Sequence, residues 1–138
     1  MRKVFLFHSH NKMYTTTIKF NIPKILEYIL NDLQELGARP ILVGGCVRDY
    51  FLNIPVKDYD VEIFGIDCFD TIENSLKKFG SVKLVGKSFG VLTLRVDNYY
   101  FDFALPRREK KVGNSHQDFE IITNANLSFK EAAIRRDF

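Results

Sequence analysis

The sequence has no tryptophan, only two cysteines and no apolar run long enough to cross a bilayer. Cys46 and Cys68 form neither a C-x-x-C motif nor a disulfide framework, which indicates thiols in a reducing cytoplasm. The apolar residues 4–7 are too few for the core of a signal peptide, and no cleavage site of small residues follows them. We therefore expect a cytoplasmic protein with no membrane-spanning segment.

An excess of charge of one sign is also missing. Twenty Lys and Arg residues against 17 Asp and Glu residues give a formal net charge of +3, which is too small a bias to demonstrate a nucleic-acid partner. Four of the five residues from 107 to 111 are basic, and such a run is usually a solvated surface. A salt-dependent contact between this run and RNA phosphates is the alternative interpretation.

Length and composition fit one globular domain. The chain has 138 residues, of which 46% are hydrophobic, 27% charged and 14% aromatic. A chain of this length can bury a substantial core, and abundant phenylalanine favours packed strands over disorder. We predict one domain over residues 1–138, in which residues 1–20 form two strands or an extended arm.

Hydrophobic periodicity predicts an α/β or α+β fold, with a mixed sheet and helices mainly on one face. Asn21 and Asp67 are the expected caps of the first and third helices, and residues 128–131 have the pattern of a capping box. Residues 106–117 are polar and basic, which favours a loop. The predicted helices are 23–36, 45–52, 67–79 and one that begins at 128, and the predicted strands are 3–7, 14–20, 40–43, 56–64, 81–85, 91–96, 99–105 and 119–123.

Asp58 and Asp60 are the first candidate site residues. They lie two positions apart in a predicted strand, so both side chains point to one face of the sheet while Tyr59 points to the other. Neighbouring carboxylates repel each other unless a cation lies between them, and their oxygens suit magnesium. An exposed acidic pair without a ligand has the same pattern, so the pair alone is weak support for a metal site.

A site that holds two metal ions usually needs a third carboxylate. Asp102 is the candidate, because it lies between Phe101 and Phe103 in a predicted strand and points away from them. A salt bridge from Asp102 to Arg95 or Arg107 is the alternative interpretation.

Gly44 and Gly45 separate a predicted strand from a predicted helix. Glycine lets the backbone approach a ligand closely, and the helix N-terminus behind it presents N–H groups to phosphate. Arg48 lies one turn into this helix, where its guanidinium can donate to a phosphate. A tight turn followed by a surface arginine is the alternative, and no P-loop motif is present.

Together these residues resemble the class II CCA-adding enzymes and bacterial poly(A) polymerases of the polymerase-β-like nucleotidyltransferase superfamily. The resemblance extends from about residue 41 to residue 138, and it implies the fold of that superfamily. Its motifs are LVGGCVRD at 42–49, KDYD at 57–60, FGVLT at 89–93 and SFKEAAIRRDF at 128–138.

The resemblance implies template-independent transfer of a nucleotide from CTP or ATP to an RNA 3′-hydroxyl. We expect tRNA CCA addition ahead of poly(A), CC-only or A-only addition. Asp58 and Asp60 would hold two magnesium ions, and Asp102 would be the third catalytic acid. The implied nucleotide-binding residues are Gly44, Gly45, Arg48, Asp49, Arg135, Arg136 and Asp137, among which Asp49 would order its loop by pairing with a neighbouring arginine.

The sequence departs from the family pattern at two places. Residues 104–107 (Ala-Leu-Pro-Arg) follow Asp102, where the family has Thr-Thr-Phe-Arg after a glutamate. The sequence also ends at Phe138, before the base-reading segment and before the neck, body and tail that hold tRNA. We therefore expect this chain alone to be impaired or inactive, and its oligomeric state stays open. A stand-alone minimal nucleotidyltransferase and a non-catalytic triphosphate-binding module are the alternatives.

Overall fold

A five-stranded mixed sheet organises the fold in this computed structural model. The structure describes residues 2–7, 13–18, 21–85, 90–111, 119–123 and 128. The elements in chain order are β1 (Arg2–Phe7), β2 (Met13–Ile18), α1 (Lys24–Glu35), β3 (Arg39–Val43), α2 (Gly45–Phe51), β4 (Asp58–Phe64), α3 (Phe69–Leu76), β5 (Ser81–Val85), β6 (Val91–Val96), β7 (Tyr99–Ala104), β8 (Arg107–Lys111) and β9 (Phe119–Thr123).

The strand order in the central sheet is β3-β4-β7-β6-β5. Strands β4 and β7 are parallel, and the other neighbouring strands are antiparallel. A parallel pair needs a crossover connection, which α3, β5 and β6 supply between β4 and β7. The sheet is therefore mixed, and this prediction is confirmed.

The core lies between one face of this sheet and the three helices. Alternate residues of each strand point to that face, as the period of two requires. The sheet contributes Val61, Ile63, Leu92, Leu94, Phe101 and Phe103, and the helices contribute Leu26, Ile29, Leu33, Val47, Ile72 and Leu76, all at most 4% exposed. The predicted α+β fold with helices on one face is confirmed, and the opposite face carries the polar residues.

Helix α1 begins and ends at backbone features. The predicted side-chain cap from Asn21 is wrong: Pro23 is the N-cap, without a side-chain hydrogen bond, and its carbonyl accepts the N–H of Glu27 at 3.1 Å. Asn21 therefore lies two residues before the N-cap. At the other end Gly37, with φ of 91°, and Ala38 donate their N–H groups back to the last turn. This is the hydrogen-bond pattern of a Schellman motif.

Helix α3 is shorter than predicted. Its N-cap is Cys68, not Asp67, because Cys68 has an extended backbone and its carbonyl accepts the N–H of Ile72. The helix ends at Leu76 and not at Phe79. The N–H of Phe79 bonds to the carbonyl of Leu76 at 3.0 Å, so the chain after the helix continues as tighter i→i+3 turns.

Two smaller antiparallel sheets precede and follow the elements of the central sheet along the chain. Strands β1 and β2 pair with each other, which corresponds to the first of the two forms expected for residues 1–20, two strands or an extended arm. The predicted loop at 106–117 is wrong over Arg107–Lys111, because β8 pairs with the apolar strand β9 and backbone pairing does not require apolar side chains on both strands. The helix predicted from residue 128 lies outside the described residues, apart from Ser128 itself.

In the ranges that the structure describes, every helix is too short or too polar to span a bilayer.

Asp32 in α1 joins this helix to the end of α3. Its Oδ2 accepts hydrogen bonds from Ser75 Oγ at 2.5 Å and from Lys78 Nζ at 2.6 Å. Ser75 is buried, so its hydroxyl needs this partner. The bonds from Lys78 and Ser75 hold the pKa of Asp32 below its usual range.

We expect Asp32→Asn to lower the free energy of unfolding by about 1 kcal/mol at pH 7, because a charge-assisted bond to a solvent-screened lysine is lost. The folded-state pKa lies below the unfolded-state value of about 3.9. The stabilisation is therefore present above about pH 4 and is lost as the pH falls through the folded-state pKa. Urea unfolding at pH 7 and pH 3 measures the difference between variant and parent.

Glu73→Gln is the control, because Glu73 pairs with Lys77 on the surface of α3 alone. This variant should change the free energy of unfolding by less than about 0.5 kcal/mol. A difference between Asp32→Asn and the parent that is equal at both pH values would contradict the charged role of Asp32.

Candidate active site

The polar face of the sheet carries the acidic residues of β4. Asp58 is exposed and Asp60 half-buried on this face, whereas Tyr59 between them is 5% exposed in the core. The predicted arrangement of the two carboxylates on one face is therefore present. Glu62 is the next residue of β4 on this face. It was not identified from the sequence, although the alternation of side chains along the strand extends to it. Glu62 is only 2% exposed, so burial separates it from the accessible pair.

Asp102 of β7 lies directly beside Asp60. The two residues are partners in the parallel β4–β7 ladder, and residues paired in this way point to the same face. The Asp102 carboxylate Oδ1 accepts a hydrogen bond from Thr93 Oγ1 at 2.5 Å, across the β6–β7 ladder. Three aspartates from two neighbouring strands thus share one region of the sheet.

Thr93 is a partner that the sequence did not reveal. The alternative partners considered for Asp102 were Arg95 and Arg107. The Arg95 guanidinium instead lies over the ring of Tyr100, with Cζ 5.7 Å from the ring centroid, and the Arg107 side chain lies outside the described residues. Thr93 belongs to the FGVLT motif, but only the pairing of β6 with β7 shows that it faces Asp102.

The Gly44–Gly45 turn lies next to the acidic pair. Val43, the last residue of β3, is the ladder partner of Asp60, and the chain turns immediately afterwards into α2. Gly44 has φ of 73° and ψ of −144°, a backbone conformation that essentially only glycine adopts. The turn therefore depends on glycine at position 44, and it brings the start of α2 close to Asp60.

Arg48 and Asp49 form an ion pair beside this turn. Arg48 Nη2 and Nε both lie 2.9 Å from Asp49 Oδ1, and the Arg48 side chain is 55% exposed. A Cβ atom added to Gly45 would lie 3.3 Å from Arg48 Nη2, so the guanidinium folds back over the glycine backbone. The arrangement places a fixed positive group against the glycine turn, accessible to solvent on its other side.

The buried side chain of Cys46 stabilises the turn. Its Sγ donates to the carbonyl of Val43 at 3.1 Å, and the side chain is 2% exposed. Burial raises the pKa of Cys46 to about 11. The thiol therefore stays protonated at neutral pH and contributes packing and a hydrogen bond, not nucleophilic chemistry.

The acidic pair is compatible with magnesium by the chemistry of its donors. Magnesium binds hard oxygen ligands, and it keeps several waters while using one or two carboxylates. Asp58 and Asp60 supply such oxygens on an accessible face. Within residues 21–85 and 90–106, however, no three Asp, Glu, His or Cys side chains stand ready as a metal-binding group. The three aspartates therefore do not form a ready-made metal-binding group in this arrangement of their side chains.

The remaining candidate residues cannot be placed. Arg135, Arg136 and Asp137 lie outside the described residues, so their predicted contact with the nucleotide stays a prediction.

Comparison with known proteins identifies the family. The model of the poly A polymerase head domain matches residues 41–138, which are more than two thirds of the chain. The chain belongs to the poly A polymerase head domain family. The predicted family resemblance is thereby confirmed, and the head domain contains both the acidic strand β4 and the glycine turn.

Curated relatives of this chain include proteins named CCA-adding enzyme and multifunctional CCA protein. It is 36% identical over 96 residues to the CCA-adding enzyme of Buchnera aphidicola subsp. Acyrthosiphon pisum (strain APS), covering 70% of this chain and 21% of the relative. It is 34% identical over 96 residues to the multifunctional CCA protein of Pseudoalteromonas atlantica, covering 70% of this chain and 22% of the relative. The matched part thus spans about a fifth of the length of these relatives.

Solved structures share the fold of the head domain. A CCA-adding enzyme in apo form II has a TM-score of 0.63 and 26% identity, covering 84% of this chain and 27% of that chain. A CCA-adding enzyme in complex with ATP has a TM-score of 0.51 and 28% identity, covering 63% of this chain and 22% of that chain.

Proposed function

We propose that this chain is the catalytic head of a template-independent RNA nucleotidyltransferase. It would transfer a nucleotide from CTP or ATP to the 3′-hydroxyl of an RNA, foremost in tRNA CCA addition. The observation that carries the proposal is the placement of Asp58, Asp60 and Asp102 on one sheet region beside the Gly44–Gly45 turn. The similar proteins named for CCA addition, one of them solved with ATP, support the choice of reaction.

The proposal covers the chemical step and the binding of the triphosphate. The relatives are about five times longer than the matched region, so we assign the capture of tRNA to parts of such proteins outside it. The assignment of residues 1–138 to one head domain and the cytoplasmic location are further parts of this proposal.

Asp58 and Asp60 would hold magnesium through their carboxylate oxygens. When bound, magnesium lowers the pKa of a hydroxyl and offsets negative charge at a phosphate. Asp102, held by Thr93, would be the third carboxylate of the site. The hydrogen bond to one oxygen of Asp102 limits the rotation of its carboxylate.

The glycine turn and Arg48 would bind the triphosphate. Gly44 and Gly45 allow a phosphate to approach the backbone N–H groups closely, because no Cβ atom intervenes. Arg48 is already held against this turn by Asp49, so less side-chain freedom is lost when it donates to a phosphate oxygen. Positioning and charge neutralisation are the main contributions a protein makes to this class of reaction.

The reaction balances as a single displacement at phosphorus. The oxygen of the RNA 3′-hydroxyl forms a bond to the α-phosphorus of CTP or ATP, and the bond from that phosphorus to the bridging oxygen breaks. Pyrophosphate leaves with the electron pair, and the hydroxyl proton passes to solvent.

Poly(A) addition is the second candidate, since the matching family is described by its poly A polymerase head domain. The two activities would share the acidic site and differ in the nucleotides added, which are two cytidylates and one adenylate in CCA addition and adenylates alone in poly(A) addition. CC-only and A-only addition use the same site as well.

We expect Asp58→Asn to abolish the magnesium-dependent part of CTP and ATP binding. The substitution keeps the side-chain volume and removes the charge that holds the cation, so the thermal unfolding temperature should not fall. Isothermal titration of each nucleotide with and without magnesium measures the effect. In Asp97→Asn, a control in the β6–β7 turn where φ is 53°, binding should be unchanged. Magnesium-dependent binding that survives in Asp58→Asn with parental affinity would refute the metal assignment.

Arg48→Gln should weaken binding of CTP and ATP equally, by roughly tenfold, because one charge-assisted contact to phosphate is lost. Asp49 then loses its ion-pair partner but remains half-exposed to water. The same titrations in magnesium provide the measurement. Lys77→Gln, at the C-cap of α3, is the charge-matched control. If CTP affinity does not change, Arg48 is only a surface residue.

Thr93→Val should slow the transfer step by roughly tenfold, since a hydrogen bond to a charged carboxylate is removed. The affinity for CTP should stay constant, because Thr93 faces Asp102 and not the glycine turn. Single-turnover extension of an RNA ending in CC measures the rate relative to the parent, with the chain in large excess to compensate for the impaired RNA capture that we expect of the head alone. Thr93→Ser retains the hydroxyl and should restore it. A rate equally low in the serine variant would assign Thr93 a packing role alone.

A further inference from the structure

Tyr100 and Arg95 lie on the same sheet face as the acidic pair. Asp58, Tyr100 and Arg95 are successive partners across β4, β7 and β6, so one cross-strand row contains an acid, an aromatic ring and a guanidinium. In the next row Asp60, Asp102, Thr93 and Lys83 are neighbours in the same sense. Negative charge thus lies on β4 and β7, and positive charge lies on β6 and β5.

The exposure of Tyr100 is unusual for its position. It lies on β7, the middle strand of five, and is 45% exposed, whereas its neighbour Phe101 is completely buried. The Arg95 guanidinium, itself on an exposed residue, lies 5.7 Å from the centroid of the Tyr100 ring. An accessible aromatic ring with an arginine against it is the combination that stacks nucleic-acid bases and attracts their phosphates.

We propose that the Tyr100–Arg95 pair is a stacking site for the 3′-terminal nucleotide of the acceptor RNA. This inference rests on the proposed function of the same site and identifies where its second substrate lies. The glycine turn and Arg48 flank β4 from the β3 side, and the Tyr100–Arg95 pair flanks it from the β7 side. The acidic pair lies between them, so the triphosphate and the RNA end approach the carboxylates from opposite sides.

Stacking suits an acceptor whose last base changes. The terminal base of the acceptor is not the same at every step of CCA addition, so a site that read the edge of one base would reject some of the acceptors. A ring and a guanidinium plane recognise the face of any base, and their binding is tolerant of sequence. Lys83, exposed on the edge strand β5, extends the positive charge along the path by which the RNA backbone would leave.

The test is binding of a short RNA whose terminal base is 2-aminopurine and whose 3′ end is deoxy, in the absence of nucleotide and magnesium. Stacking quenches 2-aminopurine fluorescence, so the readout does not depend on catalysis. We expect the parent chain to quench the signal and Tyr100→Leu to bind the RNA roughly tenfold more weakly, with the quenching lost. Tyr100→Phe should behave like the parent.

Arg95→Gln should weaken binding and reduce the slope of log affinity against log salt by about one, because one phosphate contact is lost. Tyr28→Leu is the matched control for Tyr100, because Tyr28 is 58% exposed on α1. Lys77→Gln, on the surface of α3, is the matched control for Arg95. Neither control should change the quenching or the salt dependence by more than the experimental error of the measurement on the parent chain.

Three outcomes would overturn the inference. The first is that the parent chain fails to quench the terminal 2-aminopurine, and the second is that Tyr100→Leu quenches and binds like the parent. The third is that Tyr100→Leu weakens CTP and ATP binding while RNA binding is unchanged, which would assign the pair to the incoming nucleotide. Asp58→Asn separates this test from that of the proposed function. It should lose magnesium-dependent CTP binding and keep RNA quenching, so either proposal can fail while the other stands.

Discussion

The register of β4 against β7 is the constraint on which both the core and the candidate active site depend. Because side chains alternate along a strand, the pairing of Tyr59 with Phe101 sends both aromatic rings to the helices. The same pairing sends Asp60 and Asp102 together to the opposite face. A shift of one strand by one residue would move a carboxylate into the apolar core, where an unpaired charge costs several kcal/mol. The burial energy that sets the strand register of the core therefore also sets the positions of Asp60 and Asp102.

The glycine turn adds the second half of the site at a position that the sheet determines. Strand β3 pairs with β4 up to Val43, so the turn can only begin beside Asp60. Gly44 makes the change of direction possible with its positive φ, and the buried Cys46 ties the first turn of α2 to β3 through a hydrogen bond. The proposed phosphate-binding elements are thus placed by local backbone geometry, and the three aspartates are placed by long-range strand pairing.

The sequence predicts the features that depend on local geometry, and it does not predict those that depend on long-range strand pairing. The shared face of Asp58 and Asp60 and the turn at Gly44 depend on residues within one or two positions, and the alternation and the glycine pair suffice to predict them. Thr93 beside Asp102 could not be predicted, since it depends on which residues of β6 and β7 become partners. The strand β8 was missed for the same reason: its charged residues favour a loop locally, and its pairing with β9 reverses that preference.

The two arginines that flank the acids have different local partners, and this arrangement has a functional consequence. A guanidinium beside a carboxylate pair would form ion pairs with it and use up the charge that holds a cation. Arg48 is instead held by Asp49 and Arg95 by the ring of Tyr100. Each guanidinium is oriented by its own neighbour. Under the proposed function, the two guanidinium groups would bind the two anionic substrates, and the carboxylates would bind the metal.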